Sequence, residues 1–398
     1  MTHEPYPTIR LLPKISPQKI RFGFPWVYAN ELVLDRRAKK IPSGSFVTLT
    51  DTAGFFLGVC TFNADSKITA RVMDRTEGQR IDHAWLQQKL QTALSLRDRL
   101  FDAPFYRLIH AEADGLPGVI IDRFGDTAVI QPNASWAENM LDDFTTILTA
   151  DLGIKNVFKN AAGRARKLEG LDDENKVLAG NITGSIPVHM NGASYMADIQ
   201  SGQKTGLFYD QRPNHAFAAR LAKGQRILDV FSHVGGFSLA CLANGATNAT
   251  ALDGSEAALD LAKQGADTMG VTDKFTTLRG DAFDKMKELI DAGEKYDLVI
   301  CDPPAFAPNK AALSAGLRAY ERVARLGSQL VSPGGYLGLC SCSHAVDLQG
   351  FRTANLTGIG KSARAAQILH TGFAGADHPT HANLGESAYL KAMFFRLD

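Results

Sequence analysis

The sequence has few cysteines, and they show no spacing typical of disulfide or zinc-binding frameworks. Cysteine occurs five times in 398 residues, as Cys60, Cys241, Cys301, Cys340 and Cys342. The number is odd, and no two of them form a CxxC pair. Both observations argue against a disulfide scaffold and a structural zinc site, and favour a reducing compartment. We therefore expect a cytoplasmic protein that binds no metal.

Long apolar runs and a strong excess of one charge are also missing. No window approaches the roughly 20 apolar residues that a membrane helix needs, so we expect no membrane partner. The first twenty residues contain Pro13 and Pro17 and do not resemble a signal peptide. The net charge is +1. This excludes no class, because a nucleic-acid enzyme needs a local basic face rather than a basic total.

The length and the 45% hydrophobic content are sufficient for two or three well-packed domains. Residues 1–75 contain short strand-like runs separated by glycine and predict a small β-rich domain. Residues 76–188 mix two helical runs with strand-like runs and predict a central α+β domain. Over residues 189–398 strand and helix patterns alternate. Such alternation predicts an α/β domain with a doubly wound, mostly parallel sheet.

Basic residues gather at two places before the α/β domain. The clusters that we predict to bind RNA phosphates consist of Arg36, Arg37, Lys39, Lys40, Arg164, Arg166 and Lys167. Lys and Arg side chains neutralise backbone phosphates in complexes with nucleic acids. The alternative is that both clusters are ordinary solvated faces.

The carboxyl ends of the predicted parallel strands carry the candidate cofactor site, since ligands of such sheets bind there. The first strand runs into Asp229, and Ser232 and Gly235 follow before the next helix. Glycine at this turn allows a ligand to approach the backbone. The turn lacks the G-x-G-x-x-G pattern, which argues against a dinucleotide.

Acidic residues also end the next three strands, at Asp253, Asp281 and Asp302. Helix N-capping explains any one of them. All four together fit a class I methyltransferase, so we predict S-adenosyl-L-methionine as the cofactor. We predict that Asp253 contacts the ribose and Asp281 the adenine edge. Gly235 is predicted to contact the methionine moiety, with Asp229 or Ser232 near its amino group. The other residues predicted to line this pocket are Ser255, Phe208, Arg212 and Asp302.

Two cysteines, Cys340 and Cys342, end the fifth strand and are expected to face the same cleft as Asp302. Cytosine carbon-5 becomes nucleophilic when a thiolate adds to carbon-6, so this arrangement suits covalent catalysis. A free thiol has a pKa of about 8.5, so the site must favour the thiolate. The alternative for each cysteine is a buried core position, which is common for this residue type.

Several segments resemble the bacterial and archaeal large-subunit ribosomal RNA cytosine-5 methyltransferases, a family with an N-terminal PUA domain. The segments are GFPWVYANEL (23–32), AEADGLPGVIIDRFGD (111–126), GQKTGLFYDQR (202–212), DVFSHVGGFSLA, DPPAFAPNK and CSCS. The resemblance covers nearly the whole chain. It implies a PUA domain over residues 1–75, Cys342 as the nucleophile and Asp302 as the acid of the fourth motif. It also implies large-subunit rRNA as the partner.

One residue departs from the pattern of related groups. Classes with two catalytic cysteines have a thiol three residues after the motif acid, where this chain has Ala305, so one cysteine would both add and leave. A sibling group with a similar Asp-Pro-Pro segment methylates guanine nitrogen-7 and lacks the cysteine of Ser-Cys-Ser. The rival hypotheses are therefore another rRNA base methylation, such as guanine nitrogen-7, and a non-catalytic RNA-binding assembly factor. The oligomeric state is left open, with a homodimer as one candidate.

Overall fold

The computed structural model describes residues 5–200 and 206–398. Residues 202–205, which begin the segment 202–212 singled out above, lie outside the described residues. The chain forms two compact units. The first comprises the described residues up to Thr183 together with Asp377–Ser387, and the second comprises Gly184–Ala376 and Ala388–Asp398. The domain boundaries predicted at residues 75 and 188 stay a prediction.

The first unit opens with a five-stranded sheet. Its strands are β1 (Thr8–Arg10), β2 (Trp26–Val27), β3 (Ser45–Thr50), β4 (Phe56–Phe62) and β5 (Ala70–Asp74). They lie in the order β1-β3-β4-β5-β2, and the one-turn helix α1 (Gln18–Arg21) follows β1 in the chain. Buried Val47, Leu49 and Phe62 belong to the core of this sheet. The β-rich character predicted for residues 1–75 is therefore observed.

A second five-stranded sheet follows in the same unit. Its strands are β6 (Phe105–His110), β7 (Val119–Phe124), β8 (Thr127–Pro132), β9 (Asn156–Lys159) and β10 (Lys176–Ala179), in the order β10-β9-β8-β7-β6. The associated helices are α2 (His83–Leu100), α3 (Ser135–Asn139), α4 (Leu141–Thr146) and α5 (Arg164–Leu168). Asp82 caps α2 by accepting a hydrogen bond from Trp85 N–H, and Trp85 and Leu90 bury the inner face of that helix.

The second helix predicted for this region is not continuous. It divides into α3 and α4, and a π-helical turn at Ile147–Asp151 follows. The hydroxyl groups of Thr145, Thr146 and Thr149 donate to backbone carbonyls four residues earlier. Such side-chain bonds compete with the regular helical ladder and bend helices. The helical periodicity therefore predicted helical structure in this region correctly. The hydrogen bonds of the threonines explain why α4 ends in an irregular turn.

The second unit contains a hairpin and a seven-stranded sheet. The hairpin strands are β11 (Ile186–Met190) and β12 (Ala193–Ala197). The sheet strands are β13 (Arg226–Val230), β14 (Asn248–Asp253), β15 (Phe275–Arg279), β16 (Tyr296–Cys301), β17 (Val331–Ser341), β18 (Ala366–Gly372) and β19 (Lys391–Leu397). The helices are α6 (Arg212–Leu221), α7 (Gly236–Ala243), α8 (Glu256–Thr268), α9 (Ala282–Asp291), α10 (Leu313–Leu330) and α11 (Leu348–Lys361).

The seven strands lie in the order β15-β14-β13-β16-β17-β19-β18. Neighbouring strands from β15 through β17 are parallel, and β19 pairs antiparallel with both β17 and β18. β13 lies between β14 and β16. The strands β14 and β15 extend the sheet on one side of β13, and β16 and β17 extend it on the other. This change of direction at β13 is the switch point at which a doubly wound sheet opens a ligand crevice. The predicted α/β class and mostly parallel sheet are confirmed.

Candidate active site

Asp229 lies near the carboxyl end of β13, at the switch point, and is fully buried. Its Oδ2 accepts hydrogen bonds from the Ser238 amide at 2.9 Å and the Ser238 hydroxyl at 2.8 Å. Its Oδ1 is buried without a hydrogen-bond partner among the described residues. Burial raises the pKa of this carboxyl group to about 6. The carboxylate is therefore held rigidly, with one oxygen left for a bound cationic group.

The loop after β13 adopts an unusual backbone conformation. Phe231, His233 and Gly235 have φ angles of 64°, 50° and 79°. A positive φ is costly for residues with a side chain, and such strain concentrates at ligand sites. At Gly235 a β-carbon would also lie 3.2 Å from both Ala262 Cβ and Leu239 Cγ. The glycine was predictable from the sequence, whereas the conformations of Phe231 and His233 were not.

Asp253, the last residue of β14, lies beside the same loop. Its Oδ2 accepts a hydrogen bond from the His233 amide at 2.8 Å, and its Oδ1 accepts one from the Ser255 amide at 2.8 Å. A carboxylate oxygen can accept two hydrogen bonds, so both oxygens keep capacity for hydroxyl donors. The structure therefore brings Asp229 and Asp253 to neighbouring strand ends, as the sequence predicted.

Ser255 and Asp281 are engaged as helix caps. Ser255 Oγ accepts a hydrogen bond from the Ala258 amide at 3.2 Å at the start of α8. Asp281 Oδ1 accepts one from the Asp284 amide at 3.1 Å at the start of α9. The capping interpretation, which concerned the acids, is thus correct for Asp281, and Ser255 also caps its helix. Their predicted contacts with the cofactor stay predictions. The second carboxylate oxygen of Asp281 and the hydroxyl hydrogen of Ser255 are not used in these caps.

Phe208 and Arg212 precede and begin α6. The Phe208 ring lies 5.0 Å from the His233 ring, so it borders the loop after β13. The Arg212 guanidinium lies over the Tyr209 ring at 5.5 Å. Both positions are compatible with the predicted pocket.

Three further residues, in or just before the first turn of α6, contribute buried polar atoms. Asp210 Oδ1, Asn214 Oδ1 and His215 Nδ1 have no hydrogen-bond partner among the described residues, as is also true of Ser232 Oγ. Buried polar atoms normally have partners. The His215 ring lies 4.4 Å from the ring of Phe237, which follows the loop after β13, so His215 Nδ1 and Ser232 Oγ fit a ligand with several polar groups. The sequence feature that could have indicated these site residues is the unusually polar start of α6.

The candidate nucleophile Cys342 lies just beyond β17. The parallel register aligns Cys301 of β16 with Leu339 of β17, so the segments after both strands run side by side. Cys342 Sγ lies 4.0 Å from the carbonyl oxygen of Pro303, the residue after Asp302. Cys342 is partly exposed, whereas the other four cysteines are buried. The pairing of Cys342 with the Asp302 segment is as predicted.

Cys340 and Cys301 belong to the core, which was the alternative interpretation for cysteines here. Both are completely buried. Burial raises the pKa of the Cys340 thiol well above its ordinary value, and the Asp302 charge raises it further. Burial likewise raises the pKa of Cys301. Neither thiol is suited to act as a thiolate.

Hydrogen bonds of Ser343 fix the loop that carries Cys342. Ser343 Oγ accepts a hydrogen bond from the Ala307 amide at 3.0 Å and shares one with the Tyr320 hydroxyl at 2.7 Å. Ala307 belongs to the loop after Asp302, and Tyr320 belongs to α10. The two loops that carry Asp302 and Cys342 are therefore linked directly.

A separate cavity of about 830 Å³ lies between α10 and α11. Its lining includes Lys310, Arg318 and Asp347. None of the predicted cofactor residues lines it, so it is distinct from the pocket at Asp229.

The basic clusters of the first unit divide into exposed and buried members. Arg36, Arg37, Lys39 and Lys40 are exposed around a short 3₁₀ turn, and Arg164 and Lys167 are exposed on α5. We call the first four the N-terminal basic surface. Their solvent accessibility is compatible with phosphate binding.

Arg166 does not join such a surface, and its prediction as an RNA contact is wrong. Its side chain is fully buried. It forms ion pairs with Glu138 at 2.7 Å and Asp172 at 3.1 Å and donates to the Pro132 carbonyl at 2.6 Å. The helical spacing of α5 directs Arg164 and Lys167 outward and Arg166 inward, and a buried guanidinium needs such partners. Arg166 is therefore a structural residue.

Residues 5–200 and 206–398 contain neither a helix able to span a membrane nor a cluster of potential metal ligands. None of the described helices is long and apolar enough to cross a membrane. Within these residues no three His, Cys, Asp or Glu side chains come together as a metal site.

Two family models match the chain. The model described as S-adenosylmethionine-dependent methyltransferase matches residues 153–396, and the model described as PUA-like domain matches residues 9–75. The chain is 34% identical to a protein of Alteromonas mediterranea named ribosomal RNA large subunit methyltransferase I, over 94% of this chain and 95% of that protein. It is 32% identical to the ribosomal RNA large subunit methyltransferase of Deinococcus radiodurans, over 98% of each chain.

Solved structures share the fold. A SAM-dependent methyltransferase from Streptococcus mutans superposes with a TM-score of 0.81 at 19% identity, covering 98% of this chain and 100% of that one. A methyltransferase in complex with S-adenosylhomocysteine gives a TM-score of 0.82 at 20% identity, covering 99% and 100%. At these identities the similarity concerns the fold. The predicted class I methyltransferase fold with an N-terminal PUA-like domain is confirmed.

Proposed function

Because this chain belongs to the S-adenosylmethionine-dependent methyltransferase family, we propose that it methylates carbon-5 of a cytidine in large-subunit rRNA through a covalent cysteine adduct. The names of the relatives support large-subunit rRNA as the substrate. The observation that carries the chemistry is one partly exposed cysteine, Cys342, beside the Asp302 segment at the ligand end of the sheet.

The cofactor, when bound, supplies an electrophilic methyl group on a sulfonium sulfur. The free Oδ1 of Asp229 suits its ammonium group, and Asp253 suits the ribose hydroxyls. Phe208 and Arg212 are assigned to the wall of the same pocket, Ser232 and Gly235 to the methionine end, and Ser255 and Asp281 to the adenosine end. The buried Nδ1 of His215, which has no hydrogen-bond partner among the described residues, fits this assignment.

The reaction requires Cys342 as a thiolate. Its sulfur forms a bond to cytosine carbon-6, and the electron pair displaced from the double bond allows carbon-5 to take the methyl group. A base then removes the carbon-5 proton, and the electron pair returns to form the double bond as the sulfur leaves. Asp302 is assigned to the ring nitrogen or exocyclic amine of cytosine, where it supports protonation as the thiolate adds. Ala305 stands where other classes have a second thiol, so in this proposal Cys342 both adds to carbon-6 and leaves it.

Two alternatives make different use of these residues. Guanine nitrogen-7 is nucleophilic without a covalent adduct, so methylation there gives Cys342 no role. A non-catalytic assembly factor needs neither Asp229 nor Cys342. The burial of Cys340 and Cys301 beside an accessible Cys342 favours the cytosine reaction. The test is mass spectrometry of nucleosides from rRNA methylated in vitro. 5-Methylcytidine is expected, and 7-methylguanosine contradicts the proposal.

The first unit is assigned to RNA binding through phosphates, with the N-terminal basic surface, Arg164 and Lys167 as contacts. This assignment is favoured by their exposure. The target base would leave its stack to reach Cys342, as RNA-modifying enzymes require.

Removal of charge from the N-terminal basic surface is expected to weaken binding of an rRNA fragment and to flatten its salt dependence. Each lost phosphate contact reduces the slope of log affinity against log salt by about 0.7 to 0.9. The variant replaces Arg36, Arg37, Lys39 and Lys40 with glutamine. A matched control replaces four exposed lysines of the second unit, Lys223, Lys263, Lys274 and Lys295. Equal slopes for wild type and the first variant, from fluorescence anisotropy over a salt series, contradict the assignment.

The affinity for S-adenosylhomocysteine is expected to fall as the pH drops below about 6. Burial raises the pKa of Asp229 to about 6 in the ligand-free protein. Above this pH the carboxylate is charged and pairs with the ligand ammonium; below it the carboxyl group must lose a proton before it can pair. The dissociation constant therefore approaches a roughly tenfold increase per pH unit on the acid side. Calorimetry between about pH 7 and pH 5 measures it, and a constant affinity contradicts the assignment of Asp229.

A further inference from the structure

A buried lysine lies next to the loop that carries Cys342. Lys391 is the first residue of β19 and pairs with Ser341 at the end of β17. It is only 5% exposed. Its ammonium group donates to the carbonyl oxygens of Ser343 at 2.8 Å and Val346 at 2.6 Å. These two hydrogen bonds fix the backbone that follows Cys342 in the chain.

Among the described residues this ammonium group has no carboxylate partner. Within residues 5–200 and 206–398, both hydrogen bonds of Lys391 go to neutral carbonyl groups, and no ion pair involves it. Burying an unpaired ammonium group is costly, and it is tolerated mainly where the charge serves a function. Two carbonyl bonds alone do not account for a lysine at this place, since a neutral donor would supply them.

The charged and titratable groups around Cys342 come from several elements. Lys391 is on β19, Asp302 follows β16, Tyr320 is on α10, and His344 and Asp347 follow Cys342 in the chain. Burial lowers the pKa of Lys391, while the charges of Cys342 and Asp347 raise it. The interaction is reciprocal, so a charged Lys391 favours the thiolate of Cys342 as much as the thiolate favours the ammonium.

We propose that Lys391 is a positioning residue that fixes the Cys342 loop and supplies the buried positive charge that stabilises the Cys342 thiolate. The proposal rests on the proposed function, because only covalent catalysis needs this thiolate. The stabilised thiolate serves both halves of that reaction. It increases the fraction of Cys342 able to add to carbon-6, and it makes the sulfur a better leaving group after carbon-5 has lost its proton.

The test measures the thiolate directly and does not depend on methylation. Full-length protein is treated with iodoacetamide over a pH series, and peptide mass spectrometry gives the alkylation rate of Cys342, since the other four cysteines are buried. The wild-type midpoint is expected below the ordinary thiol value of about 8.5. Lys391→Met removes the charge but keeps the length and is expected to raise the midpoint by about one unit, which slows alkylation near pH 7 about tenfold. Lys391→Arg retains the charge and is expected to keep a midpoint below about 8.5.

The outcomes separate this proposal from the cytosine assignment. A wild-type midpoint at or above about 8.5 overturns the role of Lys391 even if the methionine variant does not fold. An unchanged midpoint in folded Lys391→Met overturns it too, with folding checked by the melting-temperature shift on adding S-adenosylhomocysteine. If the midpoints behave as expected but methylated rRNA contains no 5-methylcytidine, the electrostatic role stands and the cytosine chemistry fails.

Discussion

Replacement of Cys342 by alanine is expected to abolish methyl transfer to rRNA, by at least about 1000-fold, while the affinity for S-adenosylhomocysteine stays unchanged. Loss of a covalent nucleophile removes the reaction path, whereas the thiol is not among the groups assigned to the cofactor. Transfer of a labelled methyl group measures the first effect, and calorimetry measures the second. Cytosine carbon-5 has no other route to nucleophilic reactivity in this site, because Cys340 and Cys301 are buried and their thiol pKa values are raised.

Cys340→Ala is the matched control. Cys340 lies on β17, two residues before Cys342, and is completely buried. Its replacement is expected to cost a modest amount of stability, about 1 kcal/mol, and to retain most of the activity. If Cys342→Ala methylates rRNA at the normal rate, Cys342 has no catalytic role and methylation at a ring nitrogen becomes the better account.

Asp229→Asn is expected to weaken cofactor binding by about 3 kcal/mol, or roughly 150-fold. The asparagine preserves the shape of the side chain and one oxygen that accepts from Ser238. It removes the negative charge that Oδ1 offers to the ligand ammonium, in a buried place where water cannot compensate. The dissociation constant of S-adenosylhomocysteine by calorimetry measures the effect. The acid-side pH dependence expected for wild type should disappear in this variant.

Asp260→Asn serves as the control for a change of net charge. Asp260 is exposed on α8 and forms a surface ion pair with Lys263. Its replacement is expected to leave cofactor affinity unchanged, since exposed pairs contribute little. Equal affinities of folded Asp229→Asn and wild type would remove Asp229 from the cofactor site.

The elements that the sequence predicted are those specified by local pattern. Alternating strand and helix periodicity predicted the parallel sheet, and an acid or cysteine at a strand end marked Asp229, Asp253 and Cys342. Residues at the carboxyl ends of neighbouring parallel strands must lie near one another. Their grouping therefore required no knowledge of long-range contacts.

Other features depend on contacts that a local pattern does not contain. Arg166 looked like its exposed neighbours, and its burial depends on Glu138, which is 28 residues away. Lys391 reaches the Cys342 loop only because β19 pairs antiparallel with β17. Asp210 and His215 precede β13 in the chain, so the strand-end rule that identified Asp229 and Asp253 did not apply to them. The positive φ of His233 follows from the turn as a whole rather than from the residue type.

The covalent step itself is open to direct observation with an rRNA fragment that carries 5-fluorocytidine at the target position. Fluorine at carbon-5 cannot leave as a proton does, so the bond between Cys342 and carbon-6 should persist after methyl transfer. The account predicts a complex of protein and RNA that survives denaturing electrophoresis, requires S-adenosyl-L-methionine, and is absent in Cys342→Ala. A wild-type enzyme that methylates the unsubstituted fragment but forms no such complex with the fluorinated one contradicts the account.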